Sequence, residues 1–335
     1  MQYYMHEISL SQFDTNFRKE LITIMSEKCV IGLDIGGTNA RIGAVALNGT
    51  LLHSRISSSR EIADGSAEDA IKDLASFINT YIQEFVTQEV LAIGVAFPAT
   101  LDANRKILYS ASNLGKDAKC RFDGLNIVDG LKEWISVPVF LGKDTDFILY
   151  NDIHELNLET SNMIAGIYFG TGIGSSFLYR GETIYGNDGV TGEIGHLPIS
   201  DNRRKCTCNE RQGCCETIAS GWRLTEIQKE HFPDTPLPEL FKKHLDSPEL
   251  QTFVYDMAKV IALTGNLLNS AYTVIGGGLV NMDSFPRELL LKHTLQMLRH
   301  PYPRDTFQML FSPSGQNAGI LGAAQFLFKK LNVND

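Results

Sequence analysis

Cys29-Val30-Ile31-Gly32-Leu33-Asp34 and Arg41-Ile42-Gly43-Ala44-Val45-Ala46 are two short β-type runs on either side of Gly36-Gly37-Thr38. Runs of this kind joined by glycines predict a hairpin whose tight turn is the size of a phosphate, with Asp34 at a strand end. Glycines without side chains let backbone N–H groups approach phosphate oxygens, and the Thr38 hydroxyl adds a donor. Asp34 offers the oxygen that a hard cation such as Mg2+ prefers, through water. A plain Gly-rich hairpin is the competing explanation when this stretch is taken alone.

Residues 66–86 follow with Ala70, Ile71, Leu74, Phe77, Ile78, Tyr81 and Ile82 at helical spacing, and 90–97 read as a buried strand. This alternation of strand and helix is the mark of an α/β chain. Short strands are also predicted at 137–141, 163–169 and 272–275, each running into polar or glycine-rich residues, and strand ends are where α/β proteins bind ligands. Helices are predicted over 249–269 and 317–331, and an amphipathic N-terminal helix over 11–28 carries Phe13, Phe17, Leu21, Ile22 and Met25. The segments 183–215 and 231–238 are the least regular. Two further glycine turns, Gly170-Thr171-Gly172-Ile173-Gly174 and Gly276-Gly277-Gly278, end the strands 163–169 and 272–275. Three strand-terminal glycine turns suggest a nucleotide held from several sides. Neither added turn fits the GxxxxGK[ST] or the GxGxxG pattern, which removes the P-loop and dinucleotide-binding classes.

The chain has 335 residues, enough for about two domains of roughly 150 residues, with a net charge of −9 and 43% hydrophobic residues. An acidic balance without a basic run argues against nucleic acid and anionic membranes as partners. The longest apolar run, Val90 to Phe97, is far short of the roughly 20 residues that span a bilayer, and Glu7, Asp14, Glu20 and Glu27 do not suit a signal peptide. A cytoplasmic protein is expected. Four of the six cysteines crowd into residues 206–215, which in a reducing compartment suggests a metal before a disulfide. Cys206, Cys208 and Cys214, with His196 ten residues earlier, make the three-sulfur, one-nitrogen set that Zn2+ takes tetrahedrally. Ordinary free thiols are the alternative.

Asp34-x-Gly36-Gly37-Thr38, Gly170-Thr171-Gly172-x-Gly174 and Gly276-Gly277-Gly278 resemble the two phosphate loops and the adenosine loop of the actin/Hsp70/hexokinase ATPase superfamily. Gly186-x-x-Gly189-x-x-Gly192-Glu193-Ile194-Gly195-His196, then Cys206-x-Cys208 and Gly213-Cys214-x-Glu216, resembles the signature of ROK-family sugar kinases, and the resemblance spans about residues 29–331. It implies an α/β, two-lobed actin-like ATPase (ribonuclease H-like) fold with an interlobe cleft and a zinc-braced loop. The small lobe would hold residues 29–142 and the C-terminal helix, the large lobe residues 143–316, and residues 1–28 an N-terminal extension. ATP, Mg2+ and a structural Zn2+ are implied, as is a homodimer. Family members usually have Cys-x-Cys-Gly-x-x-Gly-Cys, whereas here Asn209 replaces the first glycine and one residue is added before Gly213. Cys214 rather than Cys215 is taken as the last ligand because it keeps Gly213-Cys214-x-Glu216 in order.

A sugar hydroxyl is a weak nucleophile, so a carboxylate must take its proton while cations and backbone donors neutralise the γ-phosphoryl group. The strand 137–141 runs into Gly142-Lys143-Asp144-Thr145-Asp146, and Asp144 matches the family's catalytic base. A helix cap is the competing role for Asp144, and Asp146 the alternative base. By the same resemblance Asn113, Asp144, Glu193, His196 and Glu216 bind the sugar. Phe97-Pro98-Ala99, Gly195-His196-Leu197-Pro198 and Ser284-Phe285-Pro286-Arg287-Glu288 resemble the D-allose kinase branch. Kinases of N-acetylmannosamine, glucose or a β-glucoside are the alternatives within the family. A sugar-sensing transcriptional regulator is the alternative of another class, disfavoured because the 33 residues before Asp34 leave little room for a helix-turn-helix.

Overall fold

A computed structural model describes residues 27–110, 114, 120–206, 208, 212–313 and 315–333. The helix expected at 11–28 and Asn113 lie outside these residues, save for Glu27 and Lys28. Ten strands carry the two main sheets: β1 (Lys28–Ile35), β2 (Asn39–Ala46), β3 (Leu51–Ser58), β4 (Glu89–Phe97), β5 (Val139–Lys143), β6 (Met163–Phe169), β7 (Ile173–Tyr179), β8 (Glu182–Thr183), β9 (Tyr272–Gly276) and β10 (Met309–Phe311). The longer helices are α1 (Ala70–Phe85), α2 (Asp144–Glu155), α3 (Gly221–His231), α4 (Pro248–Leu268), α5 (Arg287–Met297) and α6 (Ala318–Lys330).

The chain divides into two compact units, one of Met1–Ala99, Lys106–Gly142 and Gly319–Asp335, the other of Thr100–Arg105 and Lys143–Ala318. Thr100–Arg105 thus groups with the second unit although the stretches on both sides of it belong to the first. The first unit's sheet has the order β3-β2-β1-β4-β5 and the second unit's the order β8-β7-β6-β9-β10. In each, an antiparallel three-stranded meander is extended from its first strand by a parallel one. The repeated plan explains why the glycine turns fall at equivalent strand ends.

In the first unit β1 and β4 are almost wholly buried, while β3, at the sheet's edge, alternates between half-buried and exposed residues. Its polar alternation, Leu51-Leu52-His53-Ser54-Arg55-Ile56, is why the strand is absent from the sequence reading. Helix α1 buries Leu74, Phe77, Ile78 and Tyr81. The Tyr81 hydroxyl accepts from the Ala44 N–H at 3.0 Å and donates to the His53 carbonyl at 2.9 Å, which pins the helix to β2 and β3. Helix α6 lies very close to the sheet: a Cβ on Gly32 would fall 2.6 Å from the Ile320 carbonyl oxygen, so only glycine permits this packing.

In the second unit β6 and β7 form a second hairpin, Phe169 opposite Ile173, around the second glycine turn. Strand β7 also escaped the sequence reading, although the logic that found the first hairpin applies to it. The long helix α4 starts at a Ser247 cap with Pro248 at its first position and stops at Asn269, whose φ of 47° ends the helix. Its Phe253, Val254, Met257 and Ile261 join Ile167, Phe169 and Ile275 in one apolar cluster. At roughly 25 cal/mol per Å2 of apolar surface such clusters supply most of the folding drive. Among the described residues no helix is long and apolar enough to cross a membrane.

Candidate active site and metal cluster

Within the first unit, the turn Gly36-Gly37-Thr38 joins β1 to β2, with Asp34 opposite Arg41 in the hairpin register. Ser59 braces the turn from outside: its Oγ donates to the Gly36 carbonyl at 2.5 Å and its N–H to the Thr38 carbonyl at 3.0 Å. Carbonyls are thereby turned to Ser59, an arrangement that suits a loop meant to receive oxyanions on its N–H side. The Asp34 carboxylate lies against the first turn of α6, where a Cβ on Gly319 would be 2.6 Å from its Oδ2. A carboxylate in this place offers the oxygen ligand that the magnesium of a nucleotide would take. Ser59 and Gly319 carry no motif of their own and were missed in the sequence.

Within the second unit, the Gly170–Gly174 turn closes through a Gly170 N–H to Gly172 carbonyl bond of 3.0 Å. The N–H groups of Gly221 and Trp222, at the start of α3, reach the carbonyls of Gly170 and Thr171 at 2.8 and 3.0 Å. The third turn packs beside it. Gly277 has φ +95°, and a Cβ there would fall 2.4 Å from the Phe169 carbonyl oxygen, so a side chain is excluded on both counts. Beyond Gly278 a cavity of about 710 Å3 is lined by Leu245, Asn281, Met282, Phe285, Pro286 and Arg287 among others.

Asp144 opens helix α2 directly after β5, and Lys143 is the N-cap. The Asp144 Oδ1 accepts from the Thr145 N–H at 2.7 Å. Burial pushes its carboxyl above the ordinary carboxylate range, opposed by the Thr145 N–H and the Lys143 ammonium and assisted by Asp146 and Glu193. A carboxylate made more basic in this way is a better proton acceptor. Asp146 has a different setting. Its carboxylate takes the Ser176 hydroxyl at 2.7 Å, the Arg105 guanidinium at 3.3 Å and the Lys143 N–H at 3.3 Å. Fully engaged and 4% exposed, Asp146 fixes the start of α2. Arg105, with φ 55°, is held there also by the Gly189 carbonyl at 3.1 Å and the Tyr185 ring, 3.8 Å from its guanidinium carbon.

The Lys143 side chain, 10% exposed, pairs with Glu193 Oε1 at 2.8 Å. Glu193 Oε2 lies 3.8 Å from His196 Nε2, so His196 turns Nε2 to Glu193 and Nδ1 to the cysteines. Ligand atoms of His196, Cys206, Cys208 and Cys214 all lie within 4.8 Å of one another. Cys206 Sγ is 3.5 Å from His196 Nδ1 and Cys208 Sγ is 3.7 Å from Cys214 Sγ. Tetrahedral zinc with its usual bond lengths spaces such atoms by about 3.5–3.8 Å, whereas a disulfide needs about 2.05 Å, so the donor set fits zinc. Cys215 is outside the cluster, fully buried, with its thiol pushed up to about 12 by burial. Glu216 begins a short helix; its Oε1 accepts from the Ile173 N–H at 2.8 Å and its Oε2 is 3.9 Å from Cys206 Sγ.

The site residues of the second unit therefore form one continuous arrangement: phosphate-sized turn, Glu216, thiol and imidazole cluster, Glu193, Lys143, Asp144. Proteins similar to this chain include a kinase and a repressor. Glucokinase of Thermotoga maritima is 23% identical over 90% of this chain and 98% of its own length. The xylose repressor of Bacillus spizizenii is 24% identical over 93% of this chain and 80% of its own length. Among solved structures, a ROK family glucokinase from Streptomyces griseus in complex with glucose and AMPPNP superposes with a TM-score of 0.70 at 20% identity, over 89% of this chain and 98% of that one. Residues 30–330 match the model of the ROK family; the chain belongs to it.

Proposed function

We propose that this chain is an ATP-dependent sugar kinase that phosphorylates the 6-hydroxyl of a hexose, D-allose first among the candidates, with Asp144 as general base. The observation that carries this reading is the setting of Asp144: at a strand end, partly desolvated, with its acceptor strength raised and with Lys143 and Glu193 beside it. The sugar oxygen attacks the γ-phosphorus as its proton passes to the Asp144 carboxylate, and the bond to the β,γ-bridging oxygen breaks to release ADP. The glycine turns at 36–38 and 170–174 present backbone N–H groups to the phosphates, and 276–278 receives the adenosine. Magnesium, when bound with ATP near Asp34, supplies charge neutralisation at the phosphates. His196, Cys206, Cys208 and Cys214 would hold a structural Zn2+, which would fix the ring of His196 so that its other nitrogen can meet the sugar. Glu193, His196, Glu216 and Asn113 complete the sugar contacts. Ala99 and the Pro286-Arg287-Glu288 stretch support allose over the N-acetylmannosamine, glucose and β-glucoside alternatives by motif alone.

A coupled ADP-release assay over allose, glucose, mannose, N-acetylmannosamine, N-acetylglucosamine and cellobiose tests the reading. Sugar-dependent turnover is expected, falling by about 100- to 10,000-fold in Asp144→Asn, the range that a general base supplies. Absence of turnover from folded protein with every sugar would move the reading to the regulators of the family, of which a solved ROK family transcriptional regulator is one.

A further inference from the structure

Glu216 occupies a place that two missing side chains create. A Cβ on Gly172 would fall 2.3 Å from its Oε1, and a Cβ on Gly195 would fall 3.0 Å from its Cγ and 3.1 Å from Oε1. Gly172 belongs to the phosphate-sized turn, and Gly195 adjoins the cluster residue His196. Between them the carboxylate takes the N–H of Ile173, the residue at which the turn passes into β7, at 2.8 Å. Its other oxygen is 3.9 Å from Cys206 Sγ. The backbone on which Glu216 rides is fastened to the cluster as well, since the Thr217 N–H and hydroxyl both reach the Cys214 carbonyl, at 2.9 and 2.6 Å. Three of the four cluster residues, His196, Cys206 and Cys214, thus hold the ground around a side chain whose strongest hydrogen bond is to the nucleotide turn.

We propose that Glu216 is a strut between the metal cluster and the phosphate turn, so that metal loading at His196, Cys206, Cys208 and Cys214 sets the affinity for nucleotide. The proposal rests on the kinase reading for the identity of the nucleotide. Without metal, the bonds of Ile199 and Ser200 to the Gly213 carbonyl and of Cys215 to the Leu197 carbonyl still join the two stretches, but the four ligand side chains are no longer fixed to one another, and the Glu216 carboxylate beside Cys206 is held less firmly against the Ile173 N–H. The turn then spends binding free energy on being ordered by the phosphates. A carboxylate has about four lone-pair sites, so the bond to Ile173 leaves others for a sugar hydroxyl.

The test is a thermodynamic cycle read by calorimetric binding of Mg-AMPPNP without sugar, on zinc-loaded and zinc-stripped protein, in wild type, Glu216→Gln and Glu216→Ala. Glu216→Gln keeps an oxygen acceptor for Ile173 and is expected to hold Kd within about twofold. Glu216→Ala is expected to weaken binding about tenfold, the loss of a charge-assisted hydrogen bond. Stripping zinc is expected to weaken wild type by a similar factor and Glu216→Ala hardly further, because the two changes cut one connection. Faster amide exchange at Ile173 should accompany each weakening. Equal zinc effects in wild type and Glu216→Ala, or no zinc effect in wild type, would overturn the strut. If the stripped protein unfolds, the Cys206→Ser variant, which keeps three ligands, takes its place in the cycle. Coupling without sugar turnover would remove the kinase reading alone, turnover without coupling would remove the strut alone, and absence of AMPPNP binding would remove both.

Discussion

Asp144 and Asp152 show how one helix sets two carboxyls to different tasks. Asp144 meets the site at the first turn of α2, whereas Asp152, two turns on, is fully buried and takes the Ser312 hydroxyl at 2.7 Å and the Tyr168 hydroxyl at 2.9 Å. Burial, against these two hydrogen bonds and one from Asn151, raises the Asp152 pKa from 3.8 to about 6. Between those values the native state holds a proton that the unfolded chain has lost, so this group's contribution to stability is complete below about pH 4 and falls as pH rises through 6. Asn at 152 keeps an acceptor for one hydroxyl and gives a donor to the other. Relative to wild type, Asp152→Asn should therefore gain up to about 3 kcal/mol between pH 4.5 and 7, measured by urea unfolding at a series of pH values. At this scale the gathering of His196, Cys206, Cys208 and Cys214 was legible from their crowding in the chain, as was the place of Asp34 in a strand and of Asp144 just after one. Lys143 against Glu193, 50 residues apart, and Arg105 against Asp146, 41 apart, do not, because their chemistry exists only once the strands between them have paired.

At the scale of elements, the hairpins and the metal loop decide what the residues can do. Among its described residues the loop expected at 183–215 has, beyond β8 and one turn of 3-10 helix at Ile194–His196, the isolated bridges of Pro198 with Cys214 and of Lys205 with Gln212, so short pairings hold it and a metal would add to its order. Cys208→Ser should bind less than one equivalent of zinc and melt earlier, by about 2–4 °C for each kcal/mol lost, checked by metal analysis and calorimetry. Cys215→Ser should retain full zinc, since its sulfur lies outside the cluster. The β1 hairpin was read from Gly36-Gly37-Thr38, yet β3 and β7 were not: β3 is polar in alternation as an edge strand must be, and the two serines of β7, Ser175 and Ser176, are buried among site residues rather than apolar ones. Elements that serve a polar site carry the weakest hydrophobic pattern.

Over the whole molecule, the α/β class follows from the alternating apolar runs, whereas the repeated plan of the sheets needs β3 and β7, which those runs do not show. The path of the chain was not visible in the same way. The first unit is built from three separated stretches, and its sheet is covered by α6, which follows the entire second unit in sequence. Gly32→Ala should cost roughly 1–3 kcal/mol of stability and lower the unfolding midpoint, because its methyl meets the Ile320 backbone and not a yielding side chain. Circular dichroism melts read this directly, and Gly49→Ala, in open space but at φ +86°, provides a comparison in which backbone strain acts without a clash.

That same return of α6 bears on the order in which the protein comes into being. The turn at Gly36–Thr38 and its Asp34 are among the earliest site residues to leave the ribosome, but the helix that covers their sheet and supplies the glycine beside Asp34 is among the last. The first unit therefore waits, half-made, while the second can close behind it, and a message cut short anywhere before Ala318 yields a chain in which the sheet behind that turn stays bare to chaperones and proteases.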